Sequence, residues 1–242
     1  MSACLLGHEV RYDGGHKRAP FLTDTLGRHV EWVPVCPEVE LGLGVPREPI
    51  RLQGDPKAPR LVAPGSGRDL TEAMRRLAGA RAAELARAGL SGYVFKADSP
   101  SCGVEGVAVH GRGGRAVRRG TGLFARALRE RLPLLPVEEE GRLRDPAVRE
   151  NFLDRVLAYA RWQRLFATRV TRRRLVAFHA AHTPALLAHD PAACRRLRAL
   201  VADATKRPLR ALVAEYGAGF MRALATRATS RRRAKVPLAN HV

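Results

Sequence analysis

The stretch GYVFKADSPSCGVEG, Gly92 to Gly106, changes character halfway along. GYVFK is a short apolar run of the kind that forms a buried strand. Directly after it comes a Pro- and Gly-punctuated turn that carries Ser99, Ser101 and Cys102. Two other apolar segments carry a cysteine in a similar place: SACLLG (Ser2–Gly7) contains Cys4, and VEWVPV (Val30–Val35) is followed by Cys36. In open α/β sheets, ligands sit beyond the carboxyl ends of the strands, so a sheet built from these segments would gather the three thiols at one edge.

The segments between them support such a sheet. LPLLPV (Leu132–Val137) reads as a fourth strand, after SACLLG, VEWVPV and GYVFK. DLTEAMRRLAGARAAELARAG (Asp69–Gly89) has apolar residues at helical spacing, a capping-type Asp or Thr at its start and Gly89 at its end. GTGLFARALRERL (Gly120–Leu132) reads as a second crossover helix. Residues 42–68, rich in Pro and Gly, read as loop with little regular structure. GRGGRAVRRGTG (Gly111–Gly122) lacks the Lys-Ser/Thr of a phosphate-binding loop and reads as a basic hairpin leading into that helix. From Asp145 the pattern becomes helical throughout, starting with an Asp cap and Pro146 in the first turn. The expected fold is an α/β N-terminal domain, a mostly parallel sheet with flanking helices, followed by an all-α basic C-terminal domain. The expected boundaries are 1–162 and 163–242.

The 242 residues carry a formal net charge of +20, unevenly spread. Residues 161–242 hold 18 Lys and Arg against 3 Asp and Glu, while residues 1–160 hold 25 against 20. A segment that basic seeks polyanions, of which nucleic acid is the commonest. No run approaches the roughly 18 apolar residues of a membrane span, and the N-terminus lacks the pattern of a signal peptide. Four cysteines in such a chain suit a reducing compartment, where thiols serve metals or catalysis; the expected location is the cytoplasm. Three thiols at one site suit zinc or an iron–sulfur cluster. Buried cysteines also occur as small hydrophobes, and spacing alone leaves both readings open. Cys194, among arginines in PAACRRL, reads as a packing residue.

SACLLGHEVRYDGGHK, VPVCPEVELGLGVPREPIRL, FKADSPSCGVEGV and GTGLFARAL together resemble the signature blocks of the thiouracil desulfidase family. LPVEEEGRLRDPAVRENFLDRVLAYARW is similar to the end of that domain, and FHAAHTPALLAHDP and YGAGFMRALATRATSRRRAKV are similar to the second domain of two-domain members. Those members remove sulfur from 4-thiouridine in transfer RNA. The resemblance implies that Cys4, Cys36 and Cys102 hold a 4Fe–4S cluster by three of its irons, leaving one iron open to a soft sulfur ligand; zinc on the same thiols is the runner-up. It implies tRNA as partner, with free thiouracil-type bases as the alternative substrate. A non-catalytic, metal-containing nucleic-acid-binding protein is the rival from another class. The helical domain is expected to be incomplete relative to the family.

Beside such a cluster Glu38, two residues beyond Cys36, is a candidate to hydrogen-bond a pyrimidine ring and move protons. Ser101 and Ser99 are candidates to donate to the base or the cluster, with Ser101 ahead of Ser99. Asp13, before a double glycine, is catalytic or holds its turn. Arg47 is a candidate contact for substrate or phosphate. Glu40 reads as structural, and Trp162 as core between the domains. His179, His182 and His189 lack an accompanying acid or cysteine at ligand spacing and read as core or RNA-facing residues.

Overall fold

The computed structural model describes residues 1–111, 113 and 115–228, arranged as two units, Met1–Arg144 and Asp145–Val242. The basic run Arg231–Arg233 lies outside the described residues.

In the first unit the short helix α1 (Pro37–Glu40) precedes β1 (Arg51–Gln53), β2 (Arg60–Ala63) and β3 (Arg68–Asp69). Helix α2 (Thr71–Arg87) leads to β4 (Tyr93–Phe95), β5 (Val107–His110) and β6 (Ala116–Gly120), then α3 (Leu123–Arg131) and β7 (Val137–Glu139). One sheet has the order β3-β2-β1-β5-β6. Only its β1–β5 pair is parallel, so the expected mostly parallel sheet is corrected to a mixed one. The Pro- and Gly-rich region 42–68, expected to be loop, supplies two of its strands. Its glycines sit in the turns, such as Gly54 with φ +100°, while Leu52, Leu61 and Ala63 point into the core. These join Met74, Val107, Val109 and Leu123 in one apolar cluster. Each buried Leu, Val or Met among them contributes about 1.5–3 kcal/mol relative to exposure.

The second layer carries the cysteines. β4 and β7 pair in parallel, with Phe95 opposite Glu139. Beside β4, Ser2 donates its amide to the Val94 carbonyl at 3.0 Å and accepts the Lys96 amide on its hydroxyl at 3.0 Å. On the other side Ala3 and Val35 are joined through a parallel bridge at Ser2 and Val35. SACLLG and VEWVPV, expected as strands, therefore contribute single bridges. SACLLG turns at once into a 3-10 helix, Ala3–Leu6, that stops at Gly7 with φ +97°. In VEWVPV, Pro34 has no amide to give a ladder, and Pro37 opens α1 immediately after Cys36. The rings of Tyr93, Phe95 and Phe124 pack together beneath this layer at 4.3–6.1 Å between centroids.

The described part of the second unit is helical: α4 (Pro146–Arg164), α5 (Arg172–His189), α6 (Pro191–Ala202) and α7 (Leu209–Ala225). Three helices start on side-chain caps, with Asp145, Thr171 and Asp190 accepting the amides of Ala147, Arg174 and Ala193. Such caps satisfy amides that have no partner within the helix. Trp162 is buried in this unit's own core, stacked on Tyr216 and edge-on to Phe178. No described helix is long and apolar enough to cross a membrane.

Candidate functional site: a thiol-lined cavity

Three turns, each leaving a segment of the cysteine-bearing layer, close around a cavity of about 440 Å³ in the first unit. Cys4, Cys36 and Cys102 all line it, together with Glu38 and Ser99. Cys36 is the N-cap residue of α1, and Pro37 in the helix's first position turns Glu38 inward, where it is 9% exposed. One Glu38 carboxylate oxygen accepts from the Cys36 thiol at 3.5 Å, and the other accepts from the Ser99 hydroxyl at 3.4 Å. A single carboxylate thus spans two arms of the site. The Ser99 hydroxyl oxygen also accepts the amides of Ser101 at 3.2 Å and Cys102 at 3.0 Å, which fixes the turn that presents the third thiol.

The cysteine turn is pressed against the start of α3. The amides of Phe124 and Ala125 donate to the Ser101 carbonyl, and the Gly122 amide donates to the Gly103 carbonyl at 2.8 Å. A Cβ on Gly122 would stand 2.4 Å from the Ser101 carbonyl carbon and oxygen. The glycine of GTG is therefore a requirement of close backbone approach. The same packing buries Ser101 completely. Its hydroxyl has no hydrogen-bond partner among the described residues, and it is not on the cavity wall.

The other candidates divide between the cavity wall and the surface. Asp13 is exposed and off the wall; it accepts the Gly15 amide at 3.1 Å and pairs with Arg11 at 3.3 Å. The Gly15 amide, then Arg11, holds its carboxyl below the usual range. Arg47 lines the cavity, and one of its guanidinium nitrogens donates to the Val10 and Gly44 carbonyls, both at 3.0 Å. Glu40 faces Arg81 at 3.2 Å. Lys96 and Lys17, which the sequence did not single out, also line the cavity. Lys96 follows β4 directly, and its position one residue past a strand end was the available signal.

The thiols are held in their neutral form. Burial raises all three, and the Glu38 carboxylate raises each of them further. Cys36 is pushed up to about 12. Cys102 is raised well above the usual thiol value, with Cys36 and Cys4 adding to the effect of burial and Glu38. A cationic centre among them would reverse that balance and favour thiolates, because a coordinated thiol loses its proton. The donor set fits a soft metal centre in this respect. Among the described residues, no three His, Cys, Asp or Glu side chains are gathered closely enough to hold a single metal ion.

The described histidines of the second unit form no comparable group. His179 bonds the Tyr216 hydroxyl at 3.1 Å, His182 the Phe178 carbonyl at 2.8 Å and His189 the Thr226 carbonyl at 2.6 Å. Cys194 is 1% exposed inside α6.

The first unit is thus a mixed α/β scaffold with a soft-donor site at the ends of its cysteine-bearing segments. Residues 1–140 match the 2-thiouracil desulfurase family, and residues 185–241 match a family of unknown function, DUF1722. The chain belongs to the 2-thiouracil desulfurase family. It is 32% identical over 108 residues to the uncharacterised protein YbbK of Bacillus subtilis (strain 168), covering 43% of this chain and 71% of that protein. It is also similar to the solved [4Fe-4S]-dependent thiouracil desulfidase TudS, with 34% identity, 61% of this chain and 93% of that chain covered, and a TM-score of 0.49.

Proposed function

We propose that this protein is an enzyme that replaces the C=S group of a thiolated pyrimidine by C=O, releasing sulfide. The observation that carries the reading is the convergence of Cys4, Cys36, Cys102, Glu38 and Ser99 on one cavity in the unit that defines the family. The three thiols would hold a 4Fe–4S cluster. Three soft thiolates suit such a cluster, with zinc on the same thiols the second reading. When bound, the cluster supplies an open Lewis-acidic iron for the substrate's sulfur.

The chain's own residues supply the rest. Glu38 stands at the cavity wall with one oxygen toward Ser99 and one toward Cys36, where it can accept a ring N–H and take a proton from the attacking water. Ser99 orients that carboxylate while fixing the Cys102 turn. Overall C=S and H2O become C=O and H2S, so no oxidant or reductant is consumed. Ser101, buried behind the wall, is read as a packing residue of the turn, and Asp13 as the lock of its own turn.

For the substrate, we infer 4-thiouridine in tRNA. The support is the charge of the second unit, where Arg173, Arg195, Arg198 and Arg210 are all exposed. Free thiouracil-type bases are the second reading, favoured by the family match and by a cavity built wholly within the first unit. Sulfide release from thiolated tRNA and from free 2-thiouracil, measured across a salt series with iron-loaded protein, separates the two. Binding through phosphates weakens steeply with salt, so tRNA turnover should fall as salt rises while free-base turnover holds. Glu38→Gln should keep its iron and lose about 100-fold or more in rate. No sulfide from either substrate would overturn the desulfidase reading, and tRNA turnover insensitive to salt would overturn the role of the basic unit.

A further inference from the structure

The acidic run at the end of β7, Glu138-Glu139-Glu140, turns its last two carboxylates onto the cysteine loop. Glu139 accepts the Val104 amide at 2.6 Å and the Glu105 amide at 3.4 Å, just past Cys102. Glu140 accepts the Ala97 amide at 2.7 Å and pairs with the Lys96 ammonium, just before the Asp98–Cys102 turn. Glu138 goes elsewhere, pairing with Arg142 at 3.2 Å. Bonds from backbone amides to an ionised carboxylate are among the stronger hydrogen bonds. The parallel pairing of Phe95 with Glu139 is what brings the two acids level with the loop.

The loop between these grips needs holding. Asp98 has φ +61°, the one non-glycine residue in the left-handed region among those described. Conformations of that kind persist where the surroundings over-determine them. Here Arg118 pairs with the Asp98 carboxylate, and the Thr121 hydroxyl donates to the Val104 carbonyl at 3.0 Å. Neither Glu139 nor Glu140 lines the cavity, so neither is placed to touch a substrate.

We propose that Glu139 and Glu140 are positioning residues that hold the third thiol, Cys102, in register with Cys4 and Cys36 by gripping its loop at both ends; this rests on the reading of Cys102 as a cluster ligand. They act through the backbone of the loop. Removing either grip frees the loop at one end, exposes a thiol that is 4% accessible, and loosens whatever the three thiols hold.

The test is iodoacetamide labelling of the full chain after iron removal, read cysteine by cysteine, beside the rate at which a chelator strips iron from the loaded protein. In Glu139→Ala and Glu140→Ala, Cys102 should label at least about tenfold faster than in the wild type, with Cys194 unchanged. Iron loss should accelerate by about 10–100-fold, the usual consequence of removing an outer partner of a metal site. Glu139→Gln, whose amide oxygen still accepts the two backbone amides, should restore wild-type labelling. Glu139→Asp and Glu140→Asp, with their shorter reach, are read by the same criterion if the alanine variants do not fold. Wild-type labelling of Cys102 in both shortened variants would overturn the proposal. So would equal acceleration at Cys102 and Cys194, or failure of Glu139→Gln to restore protection. The labelling uses no iron, so its result is independent of whether the protein binds a cluster; the iron content of the wild type alone judges that.

Discussion

Both units bury thiols and other polar groups, and they do so to opposite effect. In the second unit each such group is held singly by its own neighbours: His179 by Tyr216, His182 by the Phe178 carbonyl, Asn151 by the Leu224 carbonyl, and Cys194 by apolar packing, even though Nε2 of both histidines has no hydrogen-bond partner among the described residues. In the first unit Cys4, Cys36, Cys102 and Glu38 face one another across a cavity and are only partly satisfied there. Burial alone does not mark a functional cysteine. What distinguishes the three from Cys194 is a shared cavity and a shared carboxylate, and both arise from where each thiol leaves its segment of the layer.

The sharpest way to break that contrast is through the backbone that supports the cavity. Gly122→Ala would force a Cβ into the Ser101 carbonyl, and main chain cannot step aside cheaply. The variant should lose about 1–3 kcal/mol of stability and load less iron, as measured by denaturant unfolding and iron analysis. Gly79, where a Cβ meets nothing, should tolerate the same change. Unchanged stability and iron in Gly122→Ala would show that the cysteine turn and α3 do not depend on this close approach.

A milder effect belongs to the second unit. Burial is the first cause that depresses both His179 and His182, with Arg198 adding to it for His179. The folded state keeps these rings neutral, while the unfolded chain takes up protons at about pH 6.5. Their stabilising contribution is therefore complete above that pH and is lost as pH falls through it toward the depressed folded values. Hydrogen exchange of α5 and α7 amides should show protection declining below about pH 6.5. His182→Gln should flatten that decline, and a decline unaltered by His182→Gln would place its source elsewhere.

How much of this was legible in the sequence differs by element. GYVFK followed by a Ser-Pro-Ser-Cys turn already stated the main device, a strand that delivers a thiol at its end. The capped helix at Asp145 was equally plain, because an Asp followed by Pro leaves few alternatives. β1 and β2 were hidden because three- and four-residue strands carry too little alternation to stand out from the Pro- and Gly-rich turns around them. The ranking of the two serines was also beyond the sequence. Ser99 and Ser101 both lie within three residues of Cys102, and only the approach of α3 decides that Ser101 is sealed off while Ser99 reaches Glu38. Glu139 and Glu140 were not singled out in the sequence, because their partners are backbone amides 34 to 43 residues away, a contact that leaves no signature in side-chain spacing.

The central claim, that three cysteines of the first unit form one soft-metal site and the fourth cysteine does not, is tested most directly by iron content. Cys4→Ser, Cys36→Ser, Cys102→Ser and Cys194→Ser should be purified without oxygen and assayed for iron and sulfide beside the wild type. The account predicts loss of the cluster in each of the first three and wild-type iron in Cys194→Ser. Full iron in any of the first three, or its loss in Cys194→Ser, would contradict it.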